Sequence, residues 1–470
     1  MSPGRPDSDV PNQGRVVDWP PNRASHYAPR GRIGVFPPPD SPLPGHIGGG
    51  DMICVLDVHK ESVLALEADG DGKEQGHQRL KADRQNMEGY LKGLPENSTV
   101  IMETCYAWEY IYDLASERGL NAIVVNTGAL YPNGKPEKKN DLEDCRRMLR
   151  LHRIGELPTV HVLDVKVRVL RDLLRQRMFV TQKITAFRNR THFQVDRLGL
   201  RLPNSELFGV EKADLSKLRI DRANMVQIAS NQRILDALEA EEKALEAELI
   251  KQLAPTEEIR TVLTIPGVGF ILSAAIVLEI GHISRFPGME NLTAYSGLVP
   301  KLDISDGEEG PGRLRKRCNK HLRWAAIEAA RHAMQCDEAM RQRYLRRLGC
   351  PEGLATKERR GKAVVAVARH LLEVVWCMLT RGEVYRTPQK TVPEKKMRII
   401  TRKAKAYNLP EIENLAGKVG ETLQKETDLV WSPSGQWEGG WEGNVVDRAV
   451  EQCGHRAPAR AAITPASIFL

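Results

Sequence analysis

The chain has 470 residues and carries 69 lysines and arginines against 61 aspartates and glutamates, a formal charge of +8. That is long enough for two or three domains and basic enough to suit a polyanionic partner without requiring one. Aromatic residues are only 5%, so an aliphatic core is expected. The eight cysteines, at 54, 105, 145, 318, 336, 350, 377 and 453, include no C-x-x-C pair. This argues against a zinc ribbon and for a reducing, cytoplasmic compartment. No apolar stretch reads as a membrane span and no signal peptide is read at the start, so no membrane partner is expected.

Residues 1–51 hold eleven of the 28 prolines, including Pro37-Pro38-Pro39, and close on Gly48-Gly49-Gly50. Such a segment buries too little apolar surface to order itself. It reads either as a disordered arm or as upstream translation ahead of a natural start at Met52, and the second is preferred. From there to about residue 157 the pattern is α/β. Residues 52–56 and 61–68 read as paired strands, with a turn at Asp69-Gly70-Asp71-Gly72. Short buried strands follow at 100–102 and 122–125, and helices at 108–118 and 141–151. A hairpin followed by alternating helices and strands fits a ribonuclease-H-like sheet.

Four acids stand at informative places in that pattern. Asp57 and Glu103 each end an apolar strand. Asp141 and Asp144 lie three apart in the first turn of a helix and so project from one face. Carboxylates at strand ends sit at the sheet edge, and together the four form a set of hard oxygen ligands suited to Mg²⁺ or Mn²⁺. Two such ions can clamp the attacking and leaving oxygens of a phosphodiester. Taken singly, each acid also suits a strand end or the positive end of a helix dipole.

Residues 158–199 read as one long helix, with an apolar stripe of Val167, Leu170, Leu174 and Met178 and a basic face of Arg168, Arg171 and Arg175. A second helical region carries Leu235, Leu238, Leu245 and Leu249. The two suggest an antiparallel pair or short coiled coil over 158–255. The basic face is either a solvated surface or a nucleic-acid contact.

Leu263-Thr-Ile-Pro-Gly-Val-Gly269 resembles a helix-hairpin-helix turn. There Gly267 and Gly269 let backbone N–H groups approach a phosphate; a tight turn between packed helices is the alternative. A polar, glycine-rich loop then leads to Arg313, Arg315, Lys316, Arg317, Lys320 and Arg323, a run without acids that suits phosphate neutralisation. Ser305, in that loop, is a candidate nucleophile beside arginines, or simply a turn serine. After residue 386 a basic stretch near 390–405 and a helix over 409–427 are expected. The remaining tail, through the Gly- and Trp-rich stretch at 431–444, either touches nucleic acid or is a frayed or read-through end.

Taken in order, these motifs resemble the DEDD-type insertion-sequence transposases of the IS one-ten/IS one-sixteen group. The matches are Leu56-Asp-Val-His-Lys60, Met102-Glu-Thr104 with Trp108-Glu-Tyr-Ile-Tyr112, Lys139-Asn-Asp-Leu-Glu-Asp144, Ile265-Pro-Gly-Val-Gly269, Ile283-Ser-Arg-Phe286, Tyr295-Ser-Gly-Leu-Val-Pro300, Lys316-Arg-Cys-Asn319 and Lys362-Ala-Val-Val-Ala-Val-Ala-Arg369. They cover about 52–386.

The resemblance implies a DNA recombinase guided by an element-encoded bridge RNA. It implies a ribonuclease-H-like domain (52–157) with metal-binding Asp57, Glu103, Asp141 and Asp144, a helical linker (158–255), and a mostly α-helical second domain (256–386). Ser305 of that second domain would form a phosphoserine link to DNA. It also implies dimers that assemble into tetramers. Three features depart from the family pattern: Asp306 stands between the serine and Gly307, the loop to Lys316 is about one residue longer, and Cys318 stands where glycine is usual. A metal-dependent nuclease without a covalent intermediate, and a catalytically inactive nucleic-acid scaffold, are the alternatives.

Overall fold

The computed structural model describes residues 52–131, 140–201, 207–208, 220–254, 256–300, 314–385 and 392–412, with backbone alone for 303–305, 308–310 and 392–394. The expectations for 1–51 and for the tail after 412 lie outside these residues.

Five strands form a mixed sheet in the order β3-β2-β1-β4-β5: β1 (Met52–Val58), β2 (Ser62–Asp69), β3 (Glu74–Lys81), β4 (Thr99–Glu103) and β5 (Asn121–Val125). The first three are antiparallel neighbours, whereas β1–β4 and β4–β5 are parallel. The arrangement is consistent with the ribonuclease-H-like expectation. The predicted turn forms, with Gly72 at φ +75° donating to Asp69 O at 2.8 Å. β3 is an addition to the predicted pattern. Its sequence, Glu-Gln-Gly-His-Gln-Arg-Leu-Lys, is an edge strand with no fully buried residue, so it lacks the apolar alternation that marks the others. Helix α1 (Arg84–Lys92) is also new to the pattern; Asp83 caps it by accepting from Asn86 N at 2.9 Å.

The strands' two-residue period sorts their side chains onto two covered faces. On one, Cys54, Leu56, Val58, Val100 and Met102 pack against Met87 and Leu91 of α1 and Ile111, Leu114 and Ala115 of α2 (Trp108–Glu117). On the other lie Ile53, Val55, Leu64, Leu66 and Ile101. After the short α3 (Thr127–Leu130), α4 (Asp141–Arg153) covers this second face with Cys145, Met148 and Leu149.

The long helix α5 (Val165–Arg197) starts later than its sequence pattern suggests. Residues 158–160 instead run beside β5: Asn126 N donates to Pro158 O at 2.7 Å and Val160 N to Val124 O at 2.8 Å. Helix α6 (Arg222–Leu253) returns antiparallel to α5. Gln194 bonds Asn231 near one end, while Thr181 bonds Glu242 further along. Leu170, Leu174 and Met178 are buried as expected, but Leu174 and its neighbours join the core of the following helices, not only the α5–α6 seam.

That following region is helical: α7 (Glu257–Leu263), α8 (Phe270–Ile280), α9 (Met289–Ser296), α10 (Lys320–Cys336), α11 (Glu338–Leu348), α12 (Lys357–Arg381) and α13 (Val392–Ala406). Ala325, Ala326, Ala329, Ala330 and Ala333 form a buried face on α10, small enough to let neighbouring backbones close in. One correction concerns the membrane reading. By length and composition α12 is apolar enough to cross a bilayer, yet 56% of its most apolar window is buried inside the protein, where Val367, Leu371, Leu372 and Val375 serve the core.

The predicted basic stretch near 390–405 is α13, and it is docked. Met397, Ile400 and Ala404 are buried; Lys403 bonds Glu246 of α6. Lys396 Nζ donates to Leu263 O at 2.6 Å and also to Ile265 O, and burial pushes its ammonium down to about 7. The packed helical region therefore runs past residue 386. Helix α13 escapes a composition reading because its cations cap the carbonyl end of α7 and pair with α6.

Candidate active site

The same alternation that sorts the core aims the acids. Asp57 follows Ile53 and Val55 by even steps, and Glu103 follows Ile101, so both point to the face covered by α4. The parallel register pairs Leu56 with Met102, which makes Asp57 and Glu103 next-door neighbours at the ends of β1 and β4. On α4, Asp141 and Asp144 precede Cys145, Met148 and Leu149 on the turn that rests on this face. Asn140 caps the helix by accepting from Leu142 N at 3.1 Å.

Asp57 and Asp141 meet there, and Glu103 and Asp144 stand on the same face. Burial pushes the Cys145 thiol up, and the Asp57, Glu103 and Asp144 carboxylates push it further. Three acids thus bear on one side chain. Asp141 joins them through His59, whose Nε2 lies 3.0 Å from Asp57 Oδ2 and 3.1 Å from Asp141 Oδ2. Asp57 and Asp144 are each only 6% exposed. Tyr131 O–H donates to Asp144; burial first, then this bond, raises the phenol. Arg79 Nη2 stands 3.5 Å from Asp141 Oδ2.

His59 is the residue the motif reading passed over. It lies two positions beyond Asp57 in Asp-Val-His, so it shares that acid's face, and the spacing was visible in the sequence. One ligand atom each from Asp57, His59 and Asp141 fall within 4.8 Å of one another. Carboxylate oxygens with one imidazole suit Mg²⁺ or Mn²⁺, the nitrogen being better suited to Mn²⁺. Several carboxylates crowded against a buried thiol also make a concentration of negative charge that a divalent cation would neutralise. The donor set fits such an ion.

The expected nucleic-acid contacts divide. Arg168 is 3% exposed and is no surface residue. Its Nε donates to Leu163 O at 3.0 Å and its Nη1 to Glu109 at 3.2 Å, while Nη2 bonds Asp113. Helix α2 presents two carboxylates to the start of α5, and Arg168 answers them. Arg175 donates from Nε and Nη2 to the two carboxylate oxygens of Glu279, both at 2.8 Å. Arg171 is half-buried beside them. The predicted basic face of α5 is therefore its inner face.

Gly267 also turns inward. At φ +78° it suits only glycine, and a Cβ there would sit 2.5 Å from the carbonyl carbon of His332 on α10. Its close approach is to protein backbone. Gly269, at the start of α8, is exposed with open space around it.

Within the basic run, Arg313 lies outside the described residues. Arg323 donates to the carbonyls of Ser296 at 3.1 Å, Gly297 at 3.0 Å and Arg315, which fixes the turn around it. Arg315 is half-buried, whereas Lys316 and Lys320 are exposed. Arg317 Nη1 reaches within 3.5 Å of Gly128 O. Gly128 belongs to α3, and Tyr131, which caps the end of that helix, bonds Asp144. The basic turn thus abuts the wall of the acidic centre.

Ser305 closes the strand Asp303–Ser305 (β6), which pairs antiparallel with Glu308–Gly310 (β7), Ser305 opposite Glu308. The expected loop is a β-hairpin whose base is bridged by Pro300 and Leu314. The side chain of Ser305, and Asp306, lie outside the described residues. Ser296, the other serine nearby, is buried and donates to Thr293 O at 2.7 Å, which leaves it unfit as a nucleophile.

An acid-lined mixed sheet, an antiparallel helical pair and a helical domain with a basic turn are consistent with the DEDD-type transposase class. Comparison with known proteins gives the same class. Residues 54–199 match a DEDD-type IS110 family profile described as a transposase, and residues 259–345 match one described as the transposase IS116/IS110/IS902 family. The two matches fall on the sheet domain with α5 and on the helical region that follows. It is similar to the transposase for insertion sequence element IS1111A of Coxiella burnetii, 26% identical over 61% of this chain and 79% of that protein. A probable family 20 transposase of Pseudomonas aeruginosa is 22% identical over 66% and 91%. The transposase for insertion sequence element IS1328 of Yersinia enterocolitica is 28% identical over 30% and 41%.

Proposed function

We propose that this transposase cuts and rejoins DNA through a phosphoserine intermediate on Ser305, with Mg²⁺ or Mn²⁺ held by Asp57, Glu103, Asp141 and Asp144, under the guidance of a structured bridge RNA. The observation that supports it most is the convergence of four acids from two strand ends and one helix turn on a single face. A bound divalent ion would supply positive charge where the attacked phosphate gathers negative charge. The protein's own residues do the rest. Ser305 Oγ forms a bond to phosphorus as the bond from phosphorus to a deoxyribose oxygen breaks. The serine proton leaves, and the departing oxygen takes up a proton. Attack by a new DNA hydroxyl then releases the serine. The bond count is unchanged, so no external energy source is needed.

A serine hydroxyl is a poor nucleophile unaided. Arg315, Lys316 and Arg313, in the chain just after the hairpin, are the cations assigned to the phosphate. Lys320 and Gly269 are assigned to backbone contacts with DNA or guide RNA. Arg168, Arg175, Gly267 and Arg323 drop from that role because each is already committed within the protein. The resemblance further supports dimers that assemble into tetramers, with sites completed between protomers.

The test is the product. Protein co-expressed with the DNA flanking its gene, supplied with Mg²⁺, an element-end DNA and a target, should yield joined recombinant strands. Ser305→Ala should yield none. Cut ends that never join, equally abundant in Ser305→Ala, would instead establish the nuclease alternative.

A further inference from the structure

We propose that the acid-side face of edge strand β3, through Arg79 and Lys81, is a rail that holds the phosphate backbone of the DNA strand entering the acidic centre. This rests on the reading that the acids act on DNA. The register places the rail: Asp57 pairs with Leu64, and Leu64 pairs with Arg79, so the three side chains share one face. Lys81, paired with Ser62, lies two residues on and therefore on the same face. Helix α4 covers β1 and β2 but leaves β3 open; Arg79 is 55% exposed on its side chain, and Lys81 is exposed.

Arg79 is also held in place. Its Nη1 donates to Ser62 Oγ at 3.0 Å, and its Nη2 stands 3.5 Å from Asp141 Oδ2. The guanidinium thus lies at the lip of the acidic centre, with most of its donors still facing outward. His77, paired with Leu66, shares this side by the same alternation, and a bulge at Glu67/Ala68 brings Glu74 onto it. Glu74 is the one carboxylate of β3 on the strip, and Arg146 of α4 binds it through bonds of 2.9 and 3.0 Å while also pairing with Glu143 at 2.8 Å. What remains toward solvent at the Asp141 end is the cationic pair Arg79 and Lys81, with the exposed His77 beside them.

Alternate residues on a strand are about 6.8 Å apart, comparable to the separation of successive phosphates along one nucleic-acid strand. Charges on an edge strand also discourage sheet-to-sheet association. That role is indifferent to which face carries them and gives no reason for Arg79 to reach Asp141. A four-acid centre repels a polyanion, so cations at its lip are needed to bring a phosphate in.

The test uses the full chain in EDTA, where cutting is off. Affinity for a duplex oligonucleotide is measured by fluorescence anisotropy across a range of salt concentrations. Each lost phosphate contact removes about 0.9 from the slope of log affinity against log salt. Arg79→Gln with Lys81→Gln should therefore flatten the slope by about 1.8 and weaken binding. Arg79→Lys alone should keep most of the slope, and Lys92→Gln, on α1 across the sheet, should leave it unchanged. The thermal melt should be the same in all variants, and Mn²⁺ should bind the Arg79 variants no more weakly than wild type, because a cation beside Asp141 has been removed or kept. An unchanged slope in the double variant overturns the rail, as does a loss confined to RNA. If instead the slope falls but the wild-type protein never joins DNA, the rail stands and the recombinase reading fails.

Discussion

Replacing Asp57 by Asn should lower DNA cleavage by about 10³-fold or more while leaving the fold intact. The amide has the same shape but removes one charge from the centre where Asp57, Glu103 and Asp144 crowd Cys145 and where His59 links Asp57 to Asp141. Losses of 10²–10³ are typical when a single group that stabilises developing charge is removed, and loss of a metal ligand costs at least as much. Stability should move the other way. Asp57 is buried among like charges, so the Asn variant should melt at the same temperature or slightly higher, the common trade between activity and stability at such sites. Cleavage assays and thermal melts on the same preparation check both halves. Asp57→Asn at wild-type activity would remove the acids from the chemistry.

Arg175→Met should cost about 3 kcal/mol of stability, near the low end for stranding one partner of a buried pair because Arg175 is itself a third exposed. Glu279 is 1% exposed and accepts from Arg175 twice and from Asn319 Nδ2 at 2.8 Å. Burial pushes the Glu279 carboxyl up, but the Arg175 bonds, with help from Asn319, hold it below its ordinary value. A carboxyl with a depressed folded pKa stabilises the fold above its unfolded pKa. That contribution is lost as pH falls below about 4.5 toward the folded value. The wild-type protein should accordingly lose stability in acid more steeply than Arg175→Met with Glu279→Gln. That double variant should also recover part of the single variant's loss, because it leaves no unpaired charge. A single variant as stable as wild type in chemical denaturation would refute the assignment.

The legible parts of this protein were those set by periodicity. Asp57 and Glu103 were readable because a strand's two-residue period fixes both where it ends and which way its last side chain points. Asp141 and Asp144 were readable because three residues on a helix return to the same face. What the sequence did not disclose was the partner of each cation. Arg168 and Arg175 share a spacing with surface arginines, and only the fold shows Glu109, Asp113 and Glu279 waiting for them. β3 escaped because an edge strand beside solvent needs no apolar face. Ser305 was placed in a loop because Asp303-Ile-Ser305 is too short for alternation to register. Helix α13 read as a basic stretch, since its few apolar contacts, Met397, Ile400 and Ala404, are spread among lysines and arginines.

The most direct measurement is to trap the reaction on a suicide DNA substrate with Mg²⁺ or Mn²⁺ present, then digest the denatured protein and map the nucleotide-bearing peptide by mass spectrometry. The account predicts a denaturation-resistant adduct on Ser305 that disappears in both Ser305→Ala and Asp57→Asn. An adduct that persists in Ser305→Ala, or DNA cut by the wild-type protein with no adduct at all, would contradict it.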